Sequence, residues 1–183
     1  MCLFSKSDGA LVVTPDVNPT NLFSSIAGGS SGLTLTSASI TSGAPVQFGT
    51  FTGLGDLGLP SGIVLSTGGV VDAVPGASTV SGLGQGGGSF GAGFFDAAQL
   101  SFGFTSSTSS VSFSFIFASA EYSGYVNSTF NDEFRLLLNG QNIALVPGTS
   151  TPISINTINN GGPTAPGTNP SNAQFFSAIN LAI

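Results

Sequence analysis

The sequence has very few charged side chains and lacks residue types that catalytic sites depend on. Among 183 residues there is no His or Trp, one Cys, and only two cationic side chains, Lys6 and Arg135. Without His, neither a Ser-His-Asp nor a Cys-His arrangement can be built, and zinc or copper sites are disfavoured. Two cations and a net charge of −6 cannot neutralise a phosphate backbone, which excludes nucleic acid as a partner. We therefore expect a protein without enzymatic activity.

The scarcity of charge also bears on location. Charged residues make up 5% of the chain, against roughly 25% in an ordinary globular domain. Such a surface suits an exported chain, or one whose faces are covered in an assembly, better than a crowded cytosolic monomer. No segment approaches the roughly 20 apolar residues of a membrane span, and the polar residues 5–8 interrupt any signal-peptide run at the start. An extracellular or cell-surface location is expected, with the export route left open.

Alternation of apolar with small or polar residues is the dominant pattern and predicts β-strands. It is strongest in Leu100–Phe104 and Val111–Phe117, and the polar linker 105–110 predicts that these two runs form an antiparallel pair. Phe113, Phe115 and Phe117 are expected to be buried on one face. Further strands are predicted at Leu33–Ile40, Val46–Thr52, Gly62–Thr67, Glu133–Leu138, Ile143–Val146 and Pro152–Ile158. Many short strands with Gly-rich turns predict an all-β fold, a β-sandwich of jelly-roll type.

Local signals add one helix, one tight turn and two long loops. Asn18 can cap a helix whose first turn takes Pro19, and Gly28 ends it. The dipeptide Asn139-Gly140 predicts a hairpin turn. Two stretches rich in Gly, Asn or Pro predict long surface loops, Val74–Gly93 and Asn159–Asn172. We expect an N-terminal arm over residues 1–14, followed by a single β-sandwich domain over residues 15–183.

Oxygen-bearing side chains are concentrated in one region. Asp96, Glu121, Asn131 and Asp132 would form an oxygen-rich site if their strands are neighbours. Calcium takes six to eight oxygen ligands and is the cation expected there. The structural alternative is that Asn131 and Asp132 cap a turn while Glu121 pairs with Arg135. Glu121 and Asp132 are also the obvious pair for glycoside hydrolysis, but the sequence supplies no aromatic subsite lining for it.

A glycosylation sequon lies within the same stretch. Asn127 is followed by Ser128 and Thr129, which makes its side chain a candidate acceptor for an N-linked glycan. The two tyrosines, Tyr122 and Tyr125, are the only candidates for a surface that stacks on sugars.

Four motifs together resemble a known family. They are GLPSGIVLSTG (58–68), FFDAAQLSFGF (94–104), FIFASAEYSGYVNSTFNDEF (115–134) and NIALVPGTSTPISINTIN (142–159). In order and spacing they resemble the choice-of-anchor L domain, found on exported, surface-attached microbial proteins without assigned enzymatic activity. The resemblance spans roughly Gly32 to Asn172. Where the family usually has two acidic residues before the tyrosine, this sequence has Ala120-Glu121.

The resemblance also implies further strands after the Asn- and Pro-rich loop, whereas this sequence stops at Ile183. A sandwich without those strands would expose an edge of unpaired backbone groups. A neighbouring copy could supply the missing strand, and head-to-tail donation would build a filament. Two terminal segments are candidate donors: Ala10, Leu11, Val12 and Val13 in the arm, and Phe175, Ile179, Leu181 and Ile183 at the other end. The alternative is that both segments pair within their own subunit.

Two functions follow as hypotheses. The first is a non-enzymatic structural subunit, exported from the cell, that assembles with copies of itself into a fibre, sheath or surface layer with bound calcium. The second is a calcium-dependent adhesion module of the cell surface that binds glycans or another protein. A fibre subunit should need its termini, whereas an adhesion module should stay monomeric and carry an exposed site on a loop.

Overall fold

The computed structural model describes residues 10–28, 31–74, 88–162 and 171–176, in which the chain is mostly β with one α-helix. The chain forms two compact units that divide between Ser114 and Phe115. The first unit contains the helix and the longer strands, and the second contains only two-residue strands among its described residues. A single domain over residues 15–183 stays a prediction.

The first unit contains five strands in two antiparallel sheets. They are β1 (Val12–Pro15), β2 (Leu33–Ser42), β3 (Phe48–Leu54), β4 (Leu59–Leu65) and β5 (Gln99–Ser106). In one sheet β3 lies between β1 and β4, and in the other β2 pairs with β5. The strands predicted from Leu33, Val46 and Gly62 are confirmed, with ends that differ by a few residues.

The predicted partner of β5 is wrong. β5 pairs with β2, in a register that sets Leu35 opposite Phe104 and Ile40 opposite Leu100, and not with Val111–Phe117. The latter segment is in neither a strand nor a helix. Phe113 and Phe115 are 38% and 41% exposed, so the prediction that they are buried is also wrong. Strand partners are chosen by side-chain packing across the sheet, which a short polar linker does not determine.

The helix α1 (Pro19–Ala27) confirms its sequence signals. The Asn18 side-chain oxygen accepts hydrogen bonds from the Thr20 and Asn21 amides at 3.0 and 3.3 Å, which satisfies donors that the first turn leaves unpaired. Gly28 ends the helix with φ at 57°, a conformation that glycine adopts readily. The buried face carries Phe23, whose ring meets the Phe102 ring of β5 edge-on at 5.2 Å.

The second unit has four two-residue strands, β6 (Glu133–Phe134), β7 (Leu137–Leu138), β8 (Gln141–Asn142) and β9 (Ile153–Ser154). β7 and β8 form a hairpin, and β6 pairs with β9, both antiparallel. The predicted turn Asn139-Gly140 is confirmed, with positive φ at both residues. A small core of Ala144, Val146 and Ile153 is covered by Phe117, Phe134, Leu136 and Ile158. The described strands form several small antiparallel sheets and no closed barrel, so the jelly-roll sandwich stays a prediction.

Candidate functional site

The acidic loop, residues 119–132, contains three of the four residues predicted to bind calcium. The Asp132 Oδ2 atom accepts a hydrogen bond from the Ser119 hydroxyl at 2.8 Å. The same hydroxyl oxygen accepts one from the Glu121 amide at 3.1 Å. Ser119 therefore links the Asp132 carboxylate to the backbone of Glu121, which brings the two acidic residues into one local arrangement.

The charge of Asp132 acts on both Glu121 and Tyr122. Burial raises the pKa of Glu121 above its ordinary value of 4.5, and the negative charge of Asp132 raises it further. Burial and then the Asp132 charge also raise the pKa of Tyr122 to about 12. Two carboxylates close enough for the charge of one to raise the pKa of the other repel when both are ionised. A cation bound between them would relieve that repulsion.

A single asparagine, Asn156, positions much of the acidic loop. Its Oδ1 accepts a hydrogen bond from the Asn127 amide at 2.6 Å, and its Nδ2 donates to the Ser128 carbonyl at 3.2 Å. Its backbone amide donates to the Asn131 Oδ1 at 2.9 Å. Sequence reasoning missed Asn156. The signal was its place inside the predicted strand Pro152–Ile158, because asparagine is depleted in strands.

The predicted calcium ligands are divided between the two units. Asp96 belongs to the first unit, where its carbonyl oxygen accepts a 2.6 Å hydrogen bond from Gln47 Nε2. Glu121, Asn131 and Asp132 belong to the second unit. Across residues 10–28, 31–74, 88–162 and 171–176, no group of three or more His, Cys, Asp or Glu side chains is arranged to hold a metal ion. Calcium binding stays a prediction, carried by the two carboxylates of the acidic loop.

The structural alternative for these residues agrees with the structure in the hydrogen bonds of Asn131 and Asp132, but not in the partner of Arg135. Asn131 Oδ1 and Asp132 Oδ2 both accept hydrogen bonds from within the chain. The Arg135 Nε donates to Glu133 Oε1 at 2.6 Å, whereas the structural alternative paired Arg135 with Glu121. Calcium prefers six to eight oxygens, so amide and backbone oxygens or water would have to complete the shell around Glu121 and Asp132.

The exposed side of the acidic loop carries aromatic rings and the sequon. Tyr125 and Phe130 are 49% and 60% exposed and meet edge-on, with ring centroids 5.3 Å apart. Asn127 is also exposed and has a left-handed backbone conformation, with φ at 62°. The loop therefore presents the Asn127 side chain and two aromatic rings to solvent.

Two of the four N-terminal candidate residues, Val12 and Val13, lie on β1, the outer strand of the three-stranded sheet, whereas Ala10 and Leu11 precede it. Val12 is paired with Thr52 and Val13 with Phe51 of the same chain. The Asp16 amide extends this ladder with a 3.1 Å hydrogen bond to the Phe48 carbonyl. Pairing within the subunit is one of the two alternatives that the sequence left open, and donation to a neighbour stays a prediction.

The C-terminal candidates are described only at Phe175. This residue ends a short 3₁₀ turn, Ala173–Phe175, and its side chain is 43% exposed. Ile179, Leu181 and Ile183 lie outside the described residues. The next residue, Phe176, packs edge-on against the Tyr122 ring at 5.0 Å, and the Tyr122 hydroxyl donates to the Ile158 carbonyl. Phe175 is thus part of a turn and not of a strand.

Comparison with known families confirms the resemblance. The family model of the choice-of-anchor L domain matches residues 12–182, beyond both ends of the span inferred from motifs, and the chain belongs to this family. No curated protein and no solved structure matches the chain. Family membership indicates an exported or cell-surface protein. No helix in the described part of the chain has the length and apolar character needed to cross a bilayer.

Proposed function

We propose that this chain is a non-enzymatic, exported structural subunit that assembles with its own copies into an extracellular fibre, sheath or surface layer. The observation that carries the proposal is the way β1 is held. It is the outer strand of its sheet, and three of its four side chains, Val12, Thr14 and Pro15, are exposed. Its attachment therefore depends mainly on backbone hydrogen bonds, which a strand from another copy can make equally well. The finer fold we propose is a jelly-roll β-sandwich.

The surface of the chain supports assembly of this kind. With two cationic and eight acidic side chains, most of its area carries no charge that would keep identical faces apart. Several large apolar side chains are also exposed in the described residues, including Phe95 at 77%. Exposed apolar groups lose contact with water when copies pack together, which favours association. Donation from one copy to the next does not close on itself, so it extends into a filament.

Calcium enters the proposal through Glu121 and Asp132. A divalent cation on these carboxylates would remove local repulsion and reduce the charge of −6 that each copy brings to an assembly. Calcium should therefore promote polymerisation, and a chelator should oppose it.

Sedimentation and negative-stain microscopy of the purified chain at rising concentration test the proposal. We expect polymers from the full chain, with more polymer in calcium than in chelator. Deletion of residues 1–14 should leave subunits that do not polymerise, and a peptide covering Asp8–Thr14 should cap growing ends. If the deleted chain polymerises normally, residues 175–183 become the donor. A full chain that remains monomeric at all concentrations contradicts the proposal.

A second function is favoured by one observation, the exposed pair Tyr125 and Phe130 on the acidic loop. Aromatic rings that stay exposed next to carboxylates are suited to stacking on a sugar while polar groups bind its hydroxyls. On this alternative the chain is a calcium-dependent adhesion or glycan-binding module. It would remain monomeric, bind glycans only with calcium, and lose binding in Tyr125→Ala.

A further inference from the structure

The edge of β3 that faces β1 has a glycine at each end. Gly49 is paired with Pro15, and a Cβ atom added to Gly49 would lie 2.7 Å from the Thr14 carbonyl oxygen and 3.3 Å from the Pro15 Cα. At the other end, a Cβ on Gly53 would collide with the Ala10 carbonyl group. The close approach of the N-terminal strand thus requires the absence of side chains at both positions.

The β3 edge favours a short strand without charged residues, because the space beside it is narrow and carries no charge. The residues that pair across it, 12–15 with 49–52, include no charged side chain, so two copies with net negative charge meet here without local repulsion. We call the space along residues 49–53 that receives the N-terminal strand the slot. At Gly49 the slot is narrowed further by the Val70 side chain, which would lie 3.2 Å from the added Cβ. Val70 is fully buried, so it has little room to move aside.

The connection from β1 to α1 allows the strand to leave its own sheet. Only Asp16, Val17 and Asn18 lie between the two elements, and Val17 is 51% exposed. Asn18 is retained by the helix that it caps, whatever β1 does. A change of backbone angles at residues 16–17 would redirect the strand and would break the bond from the Asp16 amide to the Phe48 carbonyl, which the Asp16 of an incoming strand can replace. Such short hinges are where identical elements are exchanged between copies.

We infer that the β3 edge, residues 49–53, is the acceptor for the N-terminal strand of a second copy, and that Gly49 is the residue that admits it. The inference rests on the proposed function. The incoming strand takes the register that β1 has in its own chain, with Val12 opposite Thr52 and Pro15 opposite Gly49. Each copy then donates one strand and accepts one, which sets the direction of growth.

Complementation between two defective variants tests the acceptor. A chain without residues 1–14 keeps the slot but has no donor, whereas Gly49→Ala keeps the donor and loses the slot. We expect each alone to lose at least about tenfold in sedimentable polymer, and their mixture to give a 1:1 complex that does not grow. Asn160→Ala is the control, because this exposed residue lies outside both the β3 edge and the acidic loop, and it should polymerise as the unaltered chain does.

The outcomes separate the inference from the proposed function. Normal polymerisation of Gly49→Ala overturns the acceptor and leaves the structural function standing. A folded Gly49→Ala chain that forms no complex with the deleted chain also overturns it. Absence of polymer from the unaltered chain contradicts the proposed function itself.

A crosslink provides a readout that does not depend on the folding of Gly49→Ala. Val12 and Thr52 are opposite each other and both exposed, so Val12→Cys with Thr52→Cys, in a chain that also carries Cys2→Ser, places two thiols at disulfide distance. After oxidation of polymers with diamide, strand exchange predicts a ladder of covalent multimers on a non-reducing gel. A single monomer band, from a bond within each chain, overturns the inference.

Discussion

The two units of this chain satisfy their backbone hydrogen-bonding groups in different ways. In the first, strands of four to ten residues pair through long antiparallel ladders, and one buried amide, Gln47, adds bonds to Ala44, Ser66 and Asp96. In the second, the described strands have two residues each, and asparagine side chains bind backbone groups directly. There the fully buried Asn159 donates to the carbonyls of 155 and 156 and accepts from the amides of 161 and 171.

The difference indicates where each unit is sensitive to substitution. A ladder spreads its bonds over many residues whose side chains are free to vary, provided that the alternation is kept. When one side chain satisfies several backbone groups, its loss leaves them all unpaired in the interior. We therefore expect the first unit to depend mainly on its apolar core, with Gln47 as a polar exception, and the second on a few specific polar residues.

The largest effect is expected in the core of the first unit. Phe48 is fully buried, so Phe48→Ala should lower the free energy of unfolding by about 3–5 kcal/mol, the usual cost of a large cavity. Phe113→Ala is the matched control and should cost less than half as much, because that ring is already 38% exposed. Urea denaturation of both variants measures this. Equal costs would mean that the exposed ring is covered in solution.

The next largest effect tests the second unit. Asn159→Ala removes the hydrogen-bond partner of four backbone groups. Each buried group left unpaired costs about 1–3 kcal/mol, and water entering the space can bind some of them. We therefore expect the free energy of unfolding to fall by about 3 kcal/mol. Asn160→Ala, at an exposed neighbour, should stay within about 0.5 kcal/mol. If the two variants denature alike, side-chain bonding does not hold this unit.

Calcium should stabilise the chain through the second unit, which contains Glu121 and Asp132. If Glu121 and Asp132 bind it, excess calcium stabilises the folded chain by about 2.7 kcal/mol at a concentration of 100 times Kd. Chelation should then lower the Tm of the unaltered chain and leave that of Asp132→Ala unchanged. Identical melting curves with and without chelator, in the unaltered chain, would favour the structural alternative for these residues.

A smaller effect is expected from pH in the absence of calcium. Burial and the Asp132 charge raise the pKa of Glu121 in the folded chain above 4.5. Its contribution to stability is therefore fully present below its ordinary pKa and is lost as pH rises through the raised value. Asp132→Asn should lower the pKa of Glu121 and weaken this dependence, as seen by NMR titration of the Glu121 carboxyl. A Glu121 pKa that does not change in Asp132→Asn would contradict the coupling.

The smallest effect on stability concerns the sequon. In a host that performs N-glycosylation, Asn127 should carry a glycan, because its side chain is exposed on a loop that Asn156 holds in place. Thr129→Ala should abolish the added mass and leave the Tm unchanged, whereas Thr108→Ala, outside any sequon, should keep the glycan. Intact-mass spectrometry measures both. An unmodified chain from such a host would refute the assignment.

Local chemistry predicted several elements correctly. Asn18 and Gly28 mark the two ends of the helix, because capping satisfies backbone groups within a few residues. Asn139-Gly140 forms its turn because both residues accept positive φ. The strand β2 follows the alternation, with burial that changes at most successive residues, since the period of a strand is a property of the segment itself. The prediction failed at Phe113 and Phe115, where alternation is present but no partner strand is paired among the described residues.

The sequence by itself determined the β class, the single described helix, the hairpin turn and the scarcity of charge, because each depends on composition or on neighbours in the chain. Only the tertiary structure decided that β5 pairs with β2, that Gly49 admits β1, and that Asn156 and Asn159 organise the second unit. It also decided that Ser119 links Glu121 to Asp132, while Asp96 lies in the other unit. Such contacts join residues far apart in the chain, and their selection depends on packing, which no local pattern encodes.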